Sequence, residues 1–534
     1  MATYGIDLGT TNSCLAHLDK AFRPVVLKSF TDQDTTPSVV YFESAQRVVV
    51  GRQAKNSALL APELVRELVK RDMGQDVRYA YHGQEFTPES VSALILRGLM
   101  IPAQEQTGDA VEDVVITVPA YFGLREREAT RRAGQIAGLN VLDVLPEPVA
   151  AALAYQAVTE DPAVRHIFVF DLGGGTFDTT VMRLEGDDVH VVCVDGNFRL
   201  GGADWDKKIM DFLLQTFTEQ YPQLDPGGDG QFMQDLATSA EELKKALSAV
   251  QVRKHTMRFD GSVVTAELTR ERLEELTADL LEQTMEITKR TIATASDKGV
   301  DRFDDVLLVG GMTSSPAVAR TLKERFGLDA RRKDPNLAVA KGAALYAATR
   351  RIRVSSPEES QSLIEETGAD PEAIRRISEI TVAGVTPRAF GLKVTDADDP
   401  IFRIDPGRAR RFVEHLLTAN TPLPADTGWH QFRTVMPNQR AAELEVWEQA
   451  GAVASEELEH NKRIGQGRLS DLPERPAGTP FEVQFHMTET GTLTVHGREA
   501  DSGSEVKFEV QIDGLSPAGI EDARRQIAAI EVTG

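Results

Sequence analysis

Cysteine is nearly missing from this chain of 534 residues. Cys14 and Cys193 are the only two, so a disulfide framework and a cysteine-built metal cluster are both excluded. So few thiols fit a reducing compartment, and a cytoplasmic location is the expectation. Basic charge is also in deficit. Lys and Arg number 59 against 82 Asp and Glu, a formal net charge of −23. Such a surface disfavours general binding to nucleic acid or to an anionic membrane. No apolar run approaches the length of a membrane span. The first residues show no basic, apolar, small-residue leader pattern, and a strand begins by Tyr4.

What is present centres on Phe170-Asp171-Leu172-Gly173-Gly174-Gly175-Thr176-Phe177-Asp178. An apolar run leads in from Ile167, and a β-type segment resumes at Thr179. Strand, tight glycine turn, strand is the expected order. Glycines let backbone N–H groups approach a ligand closely, and successive N–H groups form an anion-binding concavity. Asp171 would oppose a bare anion, so it suits a metal that travels with one. A second copy, Gly5-Ile6-Asp7-Leu8-Gly9-Thr10-Thr11-Asn12-Ser13, lies far upstream. Two such loops suggest two similar lobes facing one cleft.

The length implies roughly two to four domains. Residues 52–75 read as helical and basic, and on pattern alone Lys70 is a solvated helix-end lysine. Val114 to Val118 is a buried-strand pattern ending at Pro119. Residues 124–137 are helical, with Gly138 as the stop. Glu147, between Pro146 and Pro148, sits at a strand-to-helix junction. There it can serve as a general base or water-positioning group, or simply as an acid favoured by the helix dipole. Helices are also expected within 205–217, 239–250, 267–296 and 336–349. A third glycine turn, Gly310-Gly311, follows the apolar Val306 to Val309. Alternating strands and helices imply an α/β sheet with ligands at strand ends.

Ordered motifs at Gly5–Cys14, Thr117–Phe122, Glu147–Tyr155, Phe170–Asp178, Leu200–Asp204, Glu241–Ser248 and Leu308–Thr313 make residues 1–350 resemble the ATPase domain of heat-shock protein 70 (DnaK-type) chaperones. The resemblance implies an actin/hexokinase-like, two-lobed fold that binds ATP or ADP with Mg²⁺, with K⁺ as a further candidate ion. It implies catalytic roles for Lys70, Glu147, Asp171 and Thr176, and metal-site roles for Asp7, Asp171 and Asp178. Thr10, Thr11, Asn12, Gly173, Gly174, Gly175, Thr176, Gly201 and Gly202 would cradle phosphates. Glu241, Lys244, Lys245, Ser248, Gly310, Gly311 and Ser314 would surround the adenosine. Pro119 and Arg127 resemble the pair that relays nucleotide state towards the substrate domain.

Three departures stand out. Lys245 and Ser314 replace two arginines that usually sandwich adenine, and lysine is not equivalent to arginine at a stacked site. The connection between Lys70 and Val114 is shorter than in many family members, a difference that bears on nucleotide-exchange partners. Asp143 stands where a basic residue usually meets the acidic motif of J-domain co-chaperones, and acid against acid would repel.

Residues 351–384 read as a connector and interdomain linker, ending in Glu379-Ile380-Thr381-Val382-Ala383-Gly384, less apolar than the family's linker. From Val385 to 513 the hydrophobic period becomes two, as in Phe481-Glu482-Val483-Gln484-Phe485, with turns at Thr490-Gly491 and Ser502-Gly503. An all-β sandwich follows. It resembles the family's peptide-binding domain, with Leu392, Thr395, Phe432, Val435, Ala442, Leu444 and Phe481 at the cleft positions. They are also readable as ordinary core residues, Leu444 and Phe481 as readily as cleft residues. Residues 396–411 lengthen a loop near that cleft, as a solvated insertion or a charged specificity element. Residues 514–534 hold one short helix, and no counterpart of the family's helical lid appears in the sequence.

The expectation is therefore a multidomain α/β plus all-β chaperone-like ATPase. Its partners would be unfolded or extended polypeptide segments, a J-domain co-chaperone and an exchange factor. The alternatives are a nucleotide-gated scaffold with little ATPase activity and one dedicated partner, or a small-molecule kinase of the same superfamily. The C-terminal β pattern argues against the kinase.

Overall fold

The computed structural model describes residues 3–156, 164–186, 188–332, 337–354, 375, 378–451, 453–510 and 514–534. Residues 3–354 build two sheets of like design, six strands in the first and five in the second, which the later strand Val382–Ala383 extends to six. In one, Thr3–Asp7 runs parallel to Asp113–Val118 and antiparallel to Asn12–Leu18. In the other, Arg165–Leu172 runs parallel to Asp305–Val309 and antiparallel to Phe177–Glu185. Each glycine loop is thus the turn of a hairpin whose first strand also pairs with a parallel strand.

Two alanine-rich helices, Glu147–Gln156 and Ala338–Val354, lie between the sheets. Glycine and alanine are there because the backbones touch. A Cβ on Gly342 would sit 1.7 Å from Ala150 O, and one on Gly5 would sit 2.1 Å from Ala344 N. One core cluster accordingly joins Val115 and Leu145 of the first sheet to Ile167, Val169 and Val309 of the second. Helices Gly202–Gln220 and Gly230–Ala249 pack with the hairpin Val252–Phe259/Ser262–Thr269 as a separate cluster. No helix among the described residues is long and apolar enough to cross a membrane.

Several local expectations change. The basic helix over 52–75 is instead helix Arg52–Ser57, a short strand Val65–Arg66 and a single tight turn Val69–Asp72. Leu68, with φ at +56°, forces the reversal that starts this turn. The helix over 267–296 breaks into Arg270–Leu276 and Ala278–Asp297, because the buried Thr277 turns its hydroxyl back onto Leu273 O. Most of the connector, residues 355–374, lies outside the described residues.

Beyond it, two antiparallel sheets share one core. Phe390–Thr395 and Ala442–Gln449 are central in the first sheet, and Pro480–Met487 and Leu493–Glu499 in the second. Leu493–Glu499 alternates buried and half-buried positions along its whole length, as a period of two requires. The 396–411 loop folds on itself: Asp399 accepts from Arg410 N at 2.6 Å, and Arg410 pairs with Glu457 at 2.6 Å.

This β module is docked on the α/β part. The linker strand Val382–Ala383 adds, parallel, to Val189 and His190. Asn420 bonds Val194 through both its amide atoms, at 2.7 and 3.2 Å. Arg388 is buried in the contact. It donates to Tyr121 O at 3.1 Å and lies 3.8 Å from Glu126. Glu448 accepts from Leu124 N at 3.1 Å.

Burial raises the Glu448 carboxyl from its ordinary value to about 7, with Arg388 opposing and Glu126 reinforcing the shift. A carboxyl raised on docking takes up a proton, so its contribution is present below pH 4.5 and is lost as pH rises through 7. Docking should therefore weaken progressively from about pH 4.5 to about 7 and stay weak above that. Small-angle scattering of the nucleotide-free chain checks this, and Glu448→Gln should flatten the dependence.

Candidate functional site

A cavity of about 600 Å³ opens between the two sheets, at the ends of the strands that carry the glycine loops. The two loops interlock there. A Cβ on Gly174 would lie 2.3 Å from Thr11 Oγ1, and one on Gly175 would lie 2.2 Å from Thr10 Cγ2. Only glycine permits this approach. The second loop is braced from behind: Gly202 N donates to Gly173 O at 2.9 Å, and Ala203 N donates to Gly174 O at 2.8 Å. Arg71 ties the same loop across to the first half, through Gly175 O at 3.1 Å and Asp204 at 2.5 Å.

Of the expected phosphate-loop residues, Thr10, Thr11, Asn12, Gly173, Gly174, Thr176 and Gly202 face the cavity. Gly175 and Gly201 do not line it; they are the backbone contact that lets the loops close, since a Cβ on Gly201 would meet Gly175 N at 2.5 Å.

At the floor, Lys70 Nζ donates to Glu147 Oε1 at 2.5 Å. Lys70 is 3 % exposed, so it is no solvated helix-end lysine. The tight turn at Val69–Asp72 carries it inward, and Phe122 lies under the ammonium at 5.8 Å. Glu147 is the first residue of its helix, held at the strand-to-helix junction. Asp7 and Asp171 line the same floor.

Four acids, Asp7, Glu147, Asp171 and Asp178, thus surround one lysine. Burial, reinforced by Glu147, raises Asp7 and Asp178 to about 7 and Asp171 well above the usual carboxylate range. That excess of negative charge calls for a cation. Among the described residues, no three His, Cys, Asp or Glu side chains converge to chelate an ion directly. The donor set suits an ion that keeps its own waters and is also held by phosphate oxygens, as Mg²⁺ is. The residues present therefore fit a hydrated Mg²⁺ accompanying a phosphate, whose waters Asp7 and Asp171 would be placed to hold.

Asp178 departs from its expected place. It does not line the cavity, is 2 % exposed, and accepts from Tyr121 N at 2.9 Å. It acts from behind, on the segment that follows Pro119. Tyr121 in turn meets Arg388 of the β module. Arg127 donates to Phe122 O at 3.0 Å, fixing the same segment.

The other end of the cavity is lined by Glu241, Lys244, Lys245, Ser248, Gly310, Gly311 and Ser314. Lys245 bonds Glu241 at 2.5 Å, while Lys244 is held by Asp206 and Gly202 O, each at 2.8 Å. Sequence reading missed Lys55, which bridges to Glu241 across the mouth, 186 positions away. It also missed Glu67, whose burial beside Glu241 raises its carboxyl while Lys55 opposes. Neither carries a local motif; only the fold brings them to the rim.

Asp143 is not an exposed anion. It is 8 % exposed, and Arg350 at 3.5 Å, Arg131 at 3.9 Å and the Tyr346 hydroxyl at 3.3 Å surround it. The repulsion expected at this position has no bare carboxylate to act through.

The cleft positions divide. Leu392, Ala442, Leu444 and Phe481 are buried in the core of the β module. Thr395, Phe432 and Val435 remain half-exposed. The Phe432 ring stacks on Phe481, with centroids 5.9 Å apart.

The acids imply a pH signature. Carboxyls raised to about 7 stabilise the ion-free fold below their unfolded values near 4 and lose that contribution as pH rises through 7. In EDTA the thermal midpoint should fall from pH 5 to about 8, and Mg²⁺ with ADP should restore it more at the upper end. Asp178→Asn, which keeps the acceptor for Tyr121, should flatten the profile. Fluorescence melting curves decide it.

A family model described as Hsp70 protein matches residues 3–80, 75–356 and 407–530. Together these spans cover both the α/β part with its cavity and most of the β module. The chain belongs to the Hsp70 family.

Proposed function

We propose that this chain is an ATP-driven chaperone-type ATPase of the cytoplasm. Residues 1–350 serve as the actin-like, two-lobed ATPase domain. Residues 351–384 link it to a β-sandwich, 385–513, which binds extended apolar polypeptide segments. The observation that carries the reading is the buried Lys70–Glu147 pair, set among Asp7 and Asp171 at the turns of two interlocked glycine loops. Family membership supports nucleotide binding with Mg²⁺ and a chaperone-type role.

Bound Mg²⁺ supplies charge neutralisation on the transferring phosphoryl group. The protein's own groups do the rest. N–H groups of both loops hold the phosphate oxygens, and Thr10, Thr11 and Thr176 offer hydroxyls beside them. Lys70 places a desolvated ammonium where negative charge develops. Glu147 orients the attacking water and receives its proton.

Nucleotide state reaches the β-sandwich through two linked contacts, Asp178 with Tyr121 N and Tyr121 O with Arg388. Of the half-exposed cleft residues, Phe432 is the aromatic one. Extended peptides bind such modules through main-chain bonds plus apolar pockets.

A second reading, a nucleotide-gated scaffold with one dedicated partner, draws on two observations. Lys245 and Ser314, rather than arginines, stand at the two adenine-sandwich positions, and four of the seven cleft positions are closed into the core.

Single-turnover ATP hydrolysis separates the two. Lys70→Ala should slow it by about 10²-fold, the usual loss for one preorganised electrostatic group, and an extended apolar peptide should accelerate the unmodified chain. Equal, slow turnover of both proteins with no peptide effect supports the scaffold instead. For the cleft, Phe432→Ala should weaken binding of a labelled apolar peptide in fluorescence anisotropy. Unchanged affinity would place the peptide elsewhere.

A further inference from the structure

After Gly514 the chain returns to the first half of the α/β part. Gly514 passes so close to Arg132 that a Cβ there would lie 1.5 Å from the guanidinium. Helix Pro517–Ala528 follows, with the Ser516 hydroxyl accepting from Gly519 N at 3.1 Å as its cap. It packs on helices Leu124–Ala137 and Pro88–Thr107.

The strand Glu531–Thr533 then joins, parallel, the edge of Arg47–Val50, with Glu531 opposite Arg47, Val532 opposite Val48 and Thr533 opposite Val49. Glu531 N donates to Gln46 O at 2.8 Å. Sequence reading expected a helix alone here, because three residues show no period.

These contacts are built rather than incidental. Ile527, Ile530 and Val532 are buried in the same core cluster as Phe42, Val48, Phe86 and Leu94. Arg97 spans the helix end, donating to Ile527 O and, at 3.0 Å, to Ile530 O. Ile527 O also accepts from Ile530 N at 3.2 Å, so Arg97 braces a helix end whose last turn is already closed. Without the added strand, Arg47–Val50 would be an open, valine-rich sheet edge, a feature folded proteins cover.

The opposite end of the β module is attached elsewhere. Its linker strand Val382–Ala383 joins the sheet of the second half, on Val189 and His190. One module is therefore stitched by a parallel strand at each end, to a different half of the cleft at each stitch.

We propose that residues 515–533 are a strap that holds the β module docked on both halves whatever nucleotide is present, with the Arg47–Val50 edge as its strand-acceptor site. In this chain the docked arrangement is the resting state. Nucleotide then acts on contacts inside it, such as Tyr121 with Arg388, rather than by releasing the module.

A cross-link tests the strap without any need for ATP turnover, so it stands or falls separately from the hydrolysis proposed above. In the full chain carrying Arg47→Cys and Glu531→Cys, two exposed side chains on directly paired residues are replaced. Adjacent strands bring Cα atoms to about 5 Å, within disulfide range. The native Cys14 and Cys193 are buried. Mild oxidation should close the bond to completion in nucleotide-free, ADP and ATP samples alike. No bond, or a bond in one nucleotide state only, overturns the proposal.

Val532→Asp is the complementary variant, read by amide exchange. Loss of the strap should speed exchange at Val382 and Ala383 by about tenfold or more, together with Val48 and Val49. Faster exchange at Val48 and Val49 with Val382 and Ala383 unchanged would show that the strap does not hold the module, and would equally overturn it. Should this variant fail to fold, the cross-link alone decides.

Discussion

Burial of a single lysine among four acids is the constraint on which the rest of the molecule depends. Lys70, Glu147, Asp7, Asp171 and Asp178 come from both halves of the α/β part, and removing them from water is costly unless something offsets the charge. Part of the offset is internal. Lys70 bonds Glu147, and Asp178 accepts from Tyr121 N. The remainder is a standing demand for a cation with phosphate. The two halves must therefore close around the charge, and the glycine loops interlock to do so. The alanine-rich helices, crossing at Gly342 and Ala150, bring the sheets near enough.

The same demand explains why the β module can respond to events it never touches. Asp178 is too far back to line the cavity, yet its charge depends on what occupies the floor. Its acceptor bond fixes Tyr121, and Tyr121 presents its carbonyl to Arg388. Arg388 in turn shares its charge with Glu126 and Glu448, one from each side of the contact. Charged groups buried at an interface are sensitive to small shifts, because low dielectric magnifies each change in distance. A network of two acids and one arginine is poorly balanced for rigid docking and well suited to sensing.

Much of this was legible in the sequence. The glycine loops announced themselves through spacing, as did the helix from Leu124 to Ala137 with its Gly138 stop, and the period-two strands from Pro480 onwards. What stayed hidden was long-range. Lys70 looked like a surface residue because its neighbours have helical character, and only the left-handed Leu68 turns it inward. Asp143 looked repulsive to an acidic partner because the cations beside it, Arg131 and Arg350, come from two different helices. Leu392 and Leu444 fit both a cleft and a core, and the alternation that identifies a strand does not say which face meets a ligand. Lys55 and Glu241 had no shared motif at all.

The terminal strand is the sharpest case of this limit, and it also shows what the limit conceals. Three residues at a strand edge carry no periodic signal, yet they decide which half of the cleft the β module answers to. A module tied only through Val382–Ala383 would follow the second half. A module tied at both ends is strained by any change in the angle between the halves, since each stitch is a parallel strand that cannot slide without flipping its side chains to the wrong face. Cleft closure around a ligand then has two handles on the β module rather than one, and the buried Arg388 contact lies between them. Coupling of that kind needs no release of the module, only a shift in how the load is shared between the two stitches.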